Sequence, residues 1–312
     1  MTGVAGIDGS DEWASGLHWK QKKNESDLQD SIGLMMTHSN TLDSRLTVRL
    51  EVVPGDNVVE RVELAAQCGF DGIAFPGLLS QRFAEETLAN LQQLALPIKT
   101  VSLGFEGSLC SPDENQRQRC RDSLRQLFDF TQALGAISVN IPPILNQFHR
   151  DRYPAEAIEE QDELLVRQLP ELGEQAAQRG LELLIEPVNR YETDYLKTIS
   201  HAARLCAAVN HPAVGMTVDF FHMQMEESDN AAALTGAAPW IRHVHVAENT
   251  RCEPGSGQLD FQPGFRALQD LGYRGLVELE CRSLSGPAHA CLTKSASWLR
   301  SQWQQAGCRS IG

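Results

Sequence analysis

LLIEPVNRYETDYLKT, residues 183–198, begins as an apolar strand and stops abruptly at a carboxylate, a proline and a polar loop. A charged group just past three apolar residues stands at a strand's exit, which is where a barrel enzyme carries its working groups. Glu186 is therefore the first candidate for chemistry. Glu192 follows six residues later, across a Pro-Val-Asn-Arg-Tyr loop too polar to continue the strand. Taken alone, Glu186 fits a structural ion pair with Arg190 equally well, and the rest of the chain has to decide between the two readings.

The pattern around this stretch repeats in both directions. Upstream, LTVRLEVV (46–53), GIAFPG (72–77), PIKTVSLGF (97–105) and ISVNIPPI (137–144) read as strands. Each is followed by an amphipathic helical stretch: through NVVERVELAAQCG, around AEETLANLQQLAL, over 113–134 and over 155–179. Downstream, LELLIEP (181–187), VGMTVDF (214–220), WIRHVHVA (240–247) and LVELEC (276–281) lead to helices near 198–209, 229–237, 263–271 and 288–304. Regular strand-then-helix alternation implies parallel pairing with right-handed crossovers. Eight such units in 312 residues predict one closed (β/α)8 TIM barrel over 45–312 rather than an open doubly wound sheet. No G-x-G-x-x-G follows an early strand, which counts against a dinucleotide site.

Composition narrows the partners. The formal charge is −14 and no basic stripe is present, so the chain lacks the cations that neutralise phosphates, and nucleic acid is excluded as an expected partner. No apolar run approaches the roughly 20 residues that span a bilayer, so no membrane association is expected either. The eight cysteines show no C-x-x-C spacing and read as reduced thiols. The N-terminus carries acids where a secretory signal would be basic and then apolar. The expected location is therefore cytoplasmic. Residues 1–44 are polar and weakly periodic, with IGLMM (32–36) as their one apolar cluster, and are expected to be a disordered or loosely docked extension.

Strands five to eight end in Glu186, Asp219, His245 and Glu280. Each has a plain structural alternative: a helix-capping aspartate, a surface glutamate, a hydrogen-bonded core histidine. Four metal-capable groups at matching depth on four neighbouring strands are harder to explain that way. Three carboxylates and one imidazole suit manganese first, with cobalt or magnesium as alternatives, and do not suit a thiolate-type zinc site. A six-coordinate ion would keep two positions for adjacent carbonyl and hydroxyl oxygens of a sugar.

EPVNRYETDYLKT, VDFFHMQMEE (218–227), HVHVAENTRCEPGSGQLDF (243–261) and the strand ending VELEC together resemble the xylose-isomerase-like sugar epimerases and isomerases. Within that group they are most similar to the ketose 3-epimerases of the D-tagatose and D-psicose type, specifically over about 180–283. The resemblance implies that Glu186, Asp219, His245 and Glu280 hold the metal. It also implies that Glu192, His222 and Arg251, at the family's spacings, bind the substrate, and that the enzyme is a homodimer or homotetramer. Glu186 and Glu280 would be the catalytic pair. One removes a proton from the carbon beside the carbonyl and the other returns a proton to the opposite face, through an enediolate.

The expected activity is thus epimerisation of ketoses at C3. An aldose–ketose isomerase of the hydroxypyruvate type, a metal-dependent lyase or dehydratase on a polyol, and a sugar-binding barrel without turnover are the alternatives. Two departures from the family are Phe220 after the aspartate and a Cys252–Glu253 step after Arg251 that lacks further basic residues. The second favours a free sugar or polyol over a phosphorylated one. His243 and Glu278 each lie two positions before a proposed ligand, one layer deeper on the same face, and are expected to hydrogen-bond to each other.

Overall fold

The computed structural model describes residues 41–77, 81–145 and 158–308. Eight parallel strands close in chain order: β1 (Leu46–Arg49), β2 (Gly72–Pro76), β3 (Ile98–Ser102), β4 (Ser138–Ile141), β5 (Glu182–Ile185), β6 (Val214–Asp219), β7 (Ile241–Val246) and β8 (Leu276–Leu279). The expected strands all form, and each is shorter than the run read from the sequence. At β1 the run turns instead into a short 3-10 helix over Leu50–Val52. Of the expected extension, residues 1–40 lie outside the described residues, while Leu42 is buried in the core.

The described helices are α1 (Val58–Gln67), α2 (Gln81–Asn90), α3 (Glu114–Ala133), α4 (Ile158–Ala177), α5 (Ile199–Val209), α6 (Phe220–Glu226), α7 (Asn230–Ala237), α8 (Gln262–Asp270) and α9 (Ala288–Gly307). None among the described residues is long and apolar enough to cross a membrane. Several start where a side chain satisfies a free backbone N–H. Asn57, Asp113, Thr198 and Asp229 cap α1, α3, α5 and α7 in this way. All eight cysteines are free thiols.

Strand period and register place the polar side chains inside. Thr217 pairs with His243, Asp219 with His245, and His245 with Glu278. A lower layer of Thr47, Thr100, Thr217, His243 and Glu278 is fully buried, and the upper layer carries the carboxylates. The space between barrel and helices holds the apolar core.

Phe220, one of the two departures, points into that outer core. Its ring stacks on Phe261 at 5.7 Å and lies 5.5 Å from Phe265. Gly264 on α8 makes room for it, since a Cβ there would lie 2.1 Å from one Phe220 ring carbon. Gly264→Ala is expected to destabilise the fold by about 1–3 kcal/mol, because the buried ring has no free space to yield into. Denaturant unfolding checks this against Gly236→Ala on α7, where nothing lies within 4 Å and stability should hold or rise.

Candidate active site

The C-terminal strand ends bring Glu186, Asp219, His245 and Glu280 together. Each offers one ligand atom, all four atoms lie within 4.8 Å of one another, and all four residues are buried. Glu186 and Glu280 line a cavity of about 300 Å3 together with Arg49, Asn140, Glu192, His222, Arg251 and Arg282, and Asp219 and His245 are buried beside them. A larger hollow of about 450 Å3 opens at the opposite, N-terminal end of the barrel, around residues such as Arg242 and Tyr273, and does not touch this cluster.

Each carboxylate has its own support. Glu186 does not pair with Arg190, which binds Glu226 instead. Glu186 Oε2 accepts from Asn140 Nδ2 at 2.6 Å, and Asn140 Oδ1 in turn accepts from Thr217 Oγ1 at 2.8 Å. Glu186 Oε1 lies 2.9 Å from His245 Nδ1. Asp219 divides its oxygens. Oδ1 caps α6 through the Phe221 N–H at 2.8 Å, while Oδ2 accepts from Arg251 Nη1 at 2.7 Å. Glu280 is held from both sides, Oε1 by Arg49 Nη1 at 2.8 Å and Oε2 by Arg251 Nη2 at 2.7 Å.

These partners set the charges. Burial pushes the Glu280 carboxyl up to about 7, even though His245, Arg251 and Arg49 favour its charged form. Burial also opposes ionisation of Asp219, but Arg251, followed by His222 and His245, outweighs it and holds that carboxyl well below the usual range. Glu186 is lowered as well, with His245 overcoming burial. His245 moves the other way: burial disfavours its charge, yet the Glu186 and Glu280 carboxylates raise it well above an ordinary imidazole. The two glutamates thus sit in contrasting environments, Glu186 beside a neutral amide and Glu280 between two guanidinium groups.

The three remaining candidates line the same cavity. His222 Nδ1 accepts the Asn189 backbone N–H at 3.1 Å, so its proton belongs on Nε2, 3.4 Å from Asp219 Oδ2. Glu192 stands at the mouth, where its Oε1 accepts from Asn189 at 3.3 Å and its Oε2 from Arg282 at 2.9 Å. Arg251 stacks its guanidinium 4.3 Å from the Phe221 ring centroid and holds φ at 60°, an uncommon conformation for arginine. Backbone hydrogen bonds from Arg251 to Glu248 O and from Arg282 to Arg251 O fix that turn.

Reading the strand ends missed Arg49, Asn140 and Arg282. Arg49 had a visible signal, a cation at the end of a strand, two residues after the inward Thr47. The expected His243–Glu278 hydrogen bond is present at 2.8 Å. PGSG (254–257) is a turn folded around buried Glu248, whose Oε1 accepts the Gly255 N–H at 2.9 Å. Three hard carboxylate oxygens and one imidazole nitrogen, buried and this close together, fit a divalent cation.

A family model for the xylose isomerase-like TIM barrel matches residues 62–302. The 3-dehydro-D-guloside 4-epimerase of Escherichia coli is 28% identical over 248 residues, which is 78% of this chain and 95% of that protein. The hydroxypyruvate isomerase of the same organism is 27% identical over 252 residues, 76% of this chain and 92% of the relative. The ketose 3-epimerase of Arthrobacter globiformis is 37% identical over a shorter stretch of 114 residues, spanning 36% of this chain and 39% of that protein's length.

Proposed function

For this chain, which belongs to the xylose isomerase-like TIM-barrel family, we propose a divalent-metal-dependent sugar epimerase that inverts a carbon next to a ketone, with ketoses at C3 as the first substrates to test. The observation that carries the reading is that Glu186 and Glu280, just past the ends of β5 and β8, both line one cavity and both approach the same nitrogen of His245. His245 Nδ1 is 2.9 Å from Glu186 Oε1 and 3.5 Å from Glu280 Oε2. Both relatives named as epimerases invert a carbon adjacent to a carbonyl, C3 in one and C4 of a 3-keto sugar in the other.

The residues divide the work. One of the two carboxylates takes the proton from the substrate carbon, and the other, protonated, gives a proton to the opposite face. In the reverse direction they exchange roles. Glu280, whose carboxyl sits near pH 7, is suited to hold a proton as well as to accept one. Glu192 and the Nε2–H of His222 bind hydroxyls, and Arg251 supplies a guanidinium beside the oxygen that gains negative charge. A divalent ion held by Glu186, Asp219, His245 and Glu280, with manganese the first candidate, supplies Lewis-acid polarisation of the carbonyl when bound.

A second reading, isomerisation of a small anionic hydroxy-ketone of the hydroxypyruvate type, is favoured by three guanidinium groups in the cavity wall, from Arg49, Arg251 and Arg282. These supply, from the end of β1 and two loops, the positive charge that the segment after Arg251 lacks. Solvent deuterium uptake separates the readings. Label at the carbon beside an unmoved ketone, with inverted configuration, is the expected result. Label accompanied by migration of the carbonyl would select the isomerase, and no uptake with any free ketose, keto-glycoside or hydroxy-ketone would sink both.

A further inference from the structure

We propose that Glu278 is a positioning residue which takes the Nε2–H of His245 and thereby fixes the imidazole tautomer that turns an Nδ1 lone pair toward Glu186, Asp219 and Glu280. The inference rests on the metal-site reading above and goes one layer below it. An imidazole that offers Nδ1 to an ion must carry its proton on Nε2, and the group accepting that proton sets ring orientation and basicity.

The first observation is a pair of orphans. His245 Nε2 and Glu278 Oε1 are both fully buried and both lack a hydrogen-bond partner. One is a donor in the required tautomer, the other is an acceptor, and strand register makes their residues direct partners on β7 and β8. The other oxygen, Glu278 Oε2, lies 3.6 Å from His245 Nε2. That is roughly half an ångström beyond a full N–H···O contact, so a small rotation of the carboxylate closes it.

The second observation is that the carboxylate is held from below. Glu278 Oε2 accepts from Thr100 Oγ1 at 3.1 Å and lies 2.8 Å from His243 Nε2. The His243 ring stands edge-on to His245, with centroids 4.9 Å apart and planes at 88°. Thr100, Glu278, His243 and His245 come from β3, β8 and β7, so the arrangement clamps the floor of the site across the barrel. The anion is secured from below, and its bonded oxygen lies 3.6 Å from the one ring nitrogen above it that needs an acceptor.

The same His243, His245 and Glu278 atoms lie within 4.8 Å of one another and are themselves a metal-capable set. An ion there would occupy Nε2 of His245 in place of the proton. The two arrangements exclude each other, which makes the proposal testable by stoichiometry.

Manganese binding to the full chain is measured by calorimetry without substrate, in wild type, Glu278→Gln and the milder Thr100→Val, alongside their thermal unfolding. One ion per wild-type chain is expected, with affinity reduced about 10- to 100-fold in Glu278→Gln and less in Thr100→Val. Imidazole nitrogen NMR on the zinc-loaded wild type should show His245 protonated at Nε2 and ligated at Nδ1. That spectrum carries the test if Glu278→Gln does not fold. Unchanged affinity in a folded Glu278→Gln, two ions per chain, or ligation through Nε2 would overturn the proposal while leaving the epimerase reading in place. No ion bound by wild type would overturn the metal-dependent reading and the proposal with it.

Discussion

Glu280→Gln is expected to lower turnover by a thousandfold or more while leaving the barrel folded. Glutamine keeps the shape of the side chain, and its remaining carbonyl oxygen can still accept from Arg49 or Arg251, which hold Glu280 at 2.8 and 2.7 Å. It can neither accept a proton from carbon nor return one. Loss of a general acid–base group alone costs about 100- to 10,000-fold. The same change removes an anionic donor from the four-residue cluster and leaves two guanidinium groups facing one less charge. The variant should therefore fail even at saturating manganese. The check is deuterium uptake at the carbon beside the carbonyl, measured with the ion in excess and with unfolding curves showing an intact barrel. A folded variant that keeps a tenth of wild-type exchange would remove Glu280 from the chemistry.

Why the barrel and part of its site were legible in the sequence follows from particular residues. Apolar runs that end in a single charged group mark strand exits, and Glu186 and Asp219 are of that kind, whereas His245 and Glu280 are set at the same depth by alternation with His243 and Glu278 two residues before them. Closure then brought them together without any further signal. Side chains from outside that pattern were not legible. Arg49 belongs to a run, LTVRLEVV, whose continuation as a strand would have carried its neighbours along one rim, whereas the chain turns into a 3-10 helix at Leu50. Arg282 and Arg251 meet only because one loop's N–H bonds the other loop's carbonyl, a long-range contact that no local pattern encodes. The cations of the pocket thus come from the end of β1 and two loops rather than from the one segment after Arg251.

Some structural and functional readings of a residue also proved compatible. Asp219 caps α6 with one oxygen and faces Arg251 and His222 with the other. A capping aspartate is the plain alternative for this position, and the short helix it starts, Phe220–Glu226, has only seven residues, too few to carry a periodic signal. A carboxylate fixed by a backbone N–H is pre-oriented, so the cap also determines where the second oxygen points.

Removing the ion is expected to stop exchange altogether and to make rebinding strongly dependent on pH. The four buried groups must be unprotonated to act as ligands, so every proton they hold in the ion-free protein competes with the metal. Two of them hold protons near neutrality. His245 is raised well above the ordinary imidazole range, against burial, by Glu186 and Glu280, and burial brings the Glu280 carboxyl to about 7. Asp219 and Glu186 are held low and release no proton in this window. Lowering the pH through 7 therefore protonates ligands and weakens binding, by up to about tenfold per pH unit for each proton displaced, and raising it restores affinity until both groups are deprotonated. Because the folded site alone binds the ion, saturation at a hundred times Kd adds about 2.7 kcal/mol. Chelation should then lower the Tm by roughly 4–5 °C for a chain of this size. Calorimetric titration with manganese in two buffers of different ionisation enthalpy, between pH 6 and 8, counts the protons released. A proton count of zero across that range would mean that His245 and Glu280 are not among the ligands, and the four-residue site would have to be redrawn around Glu186 and Asp219.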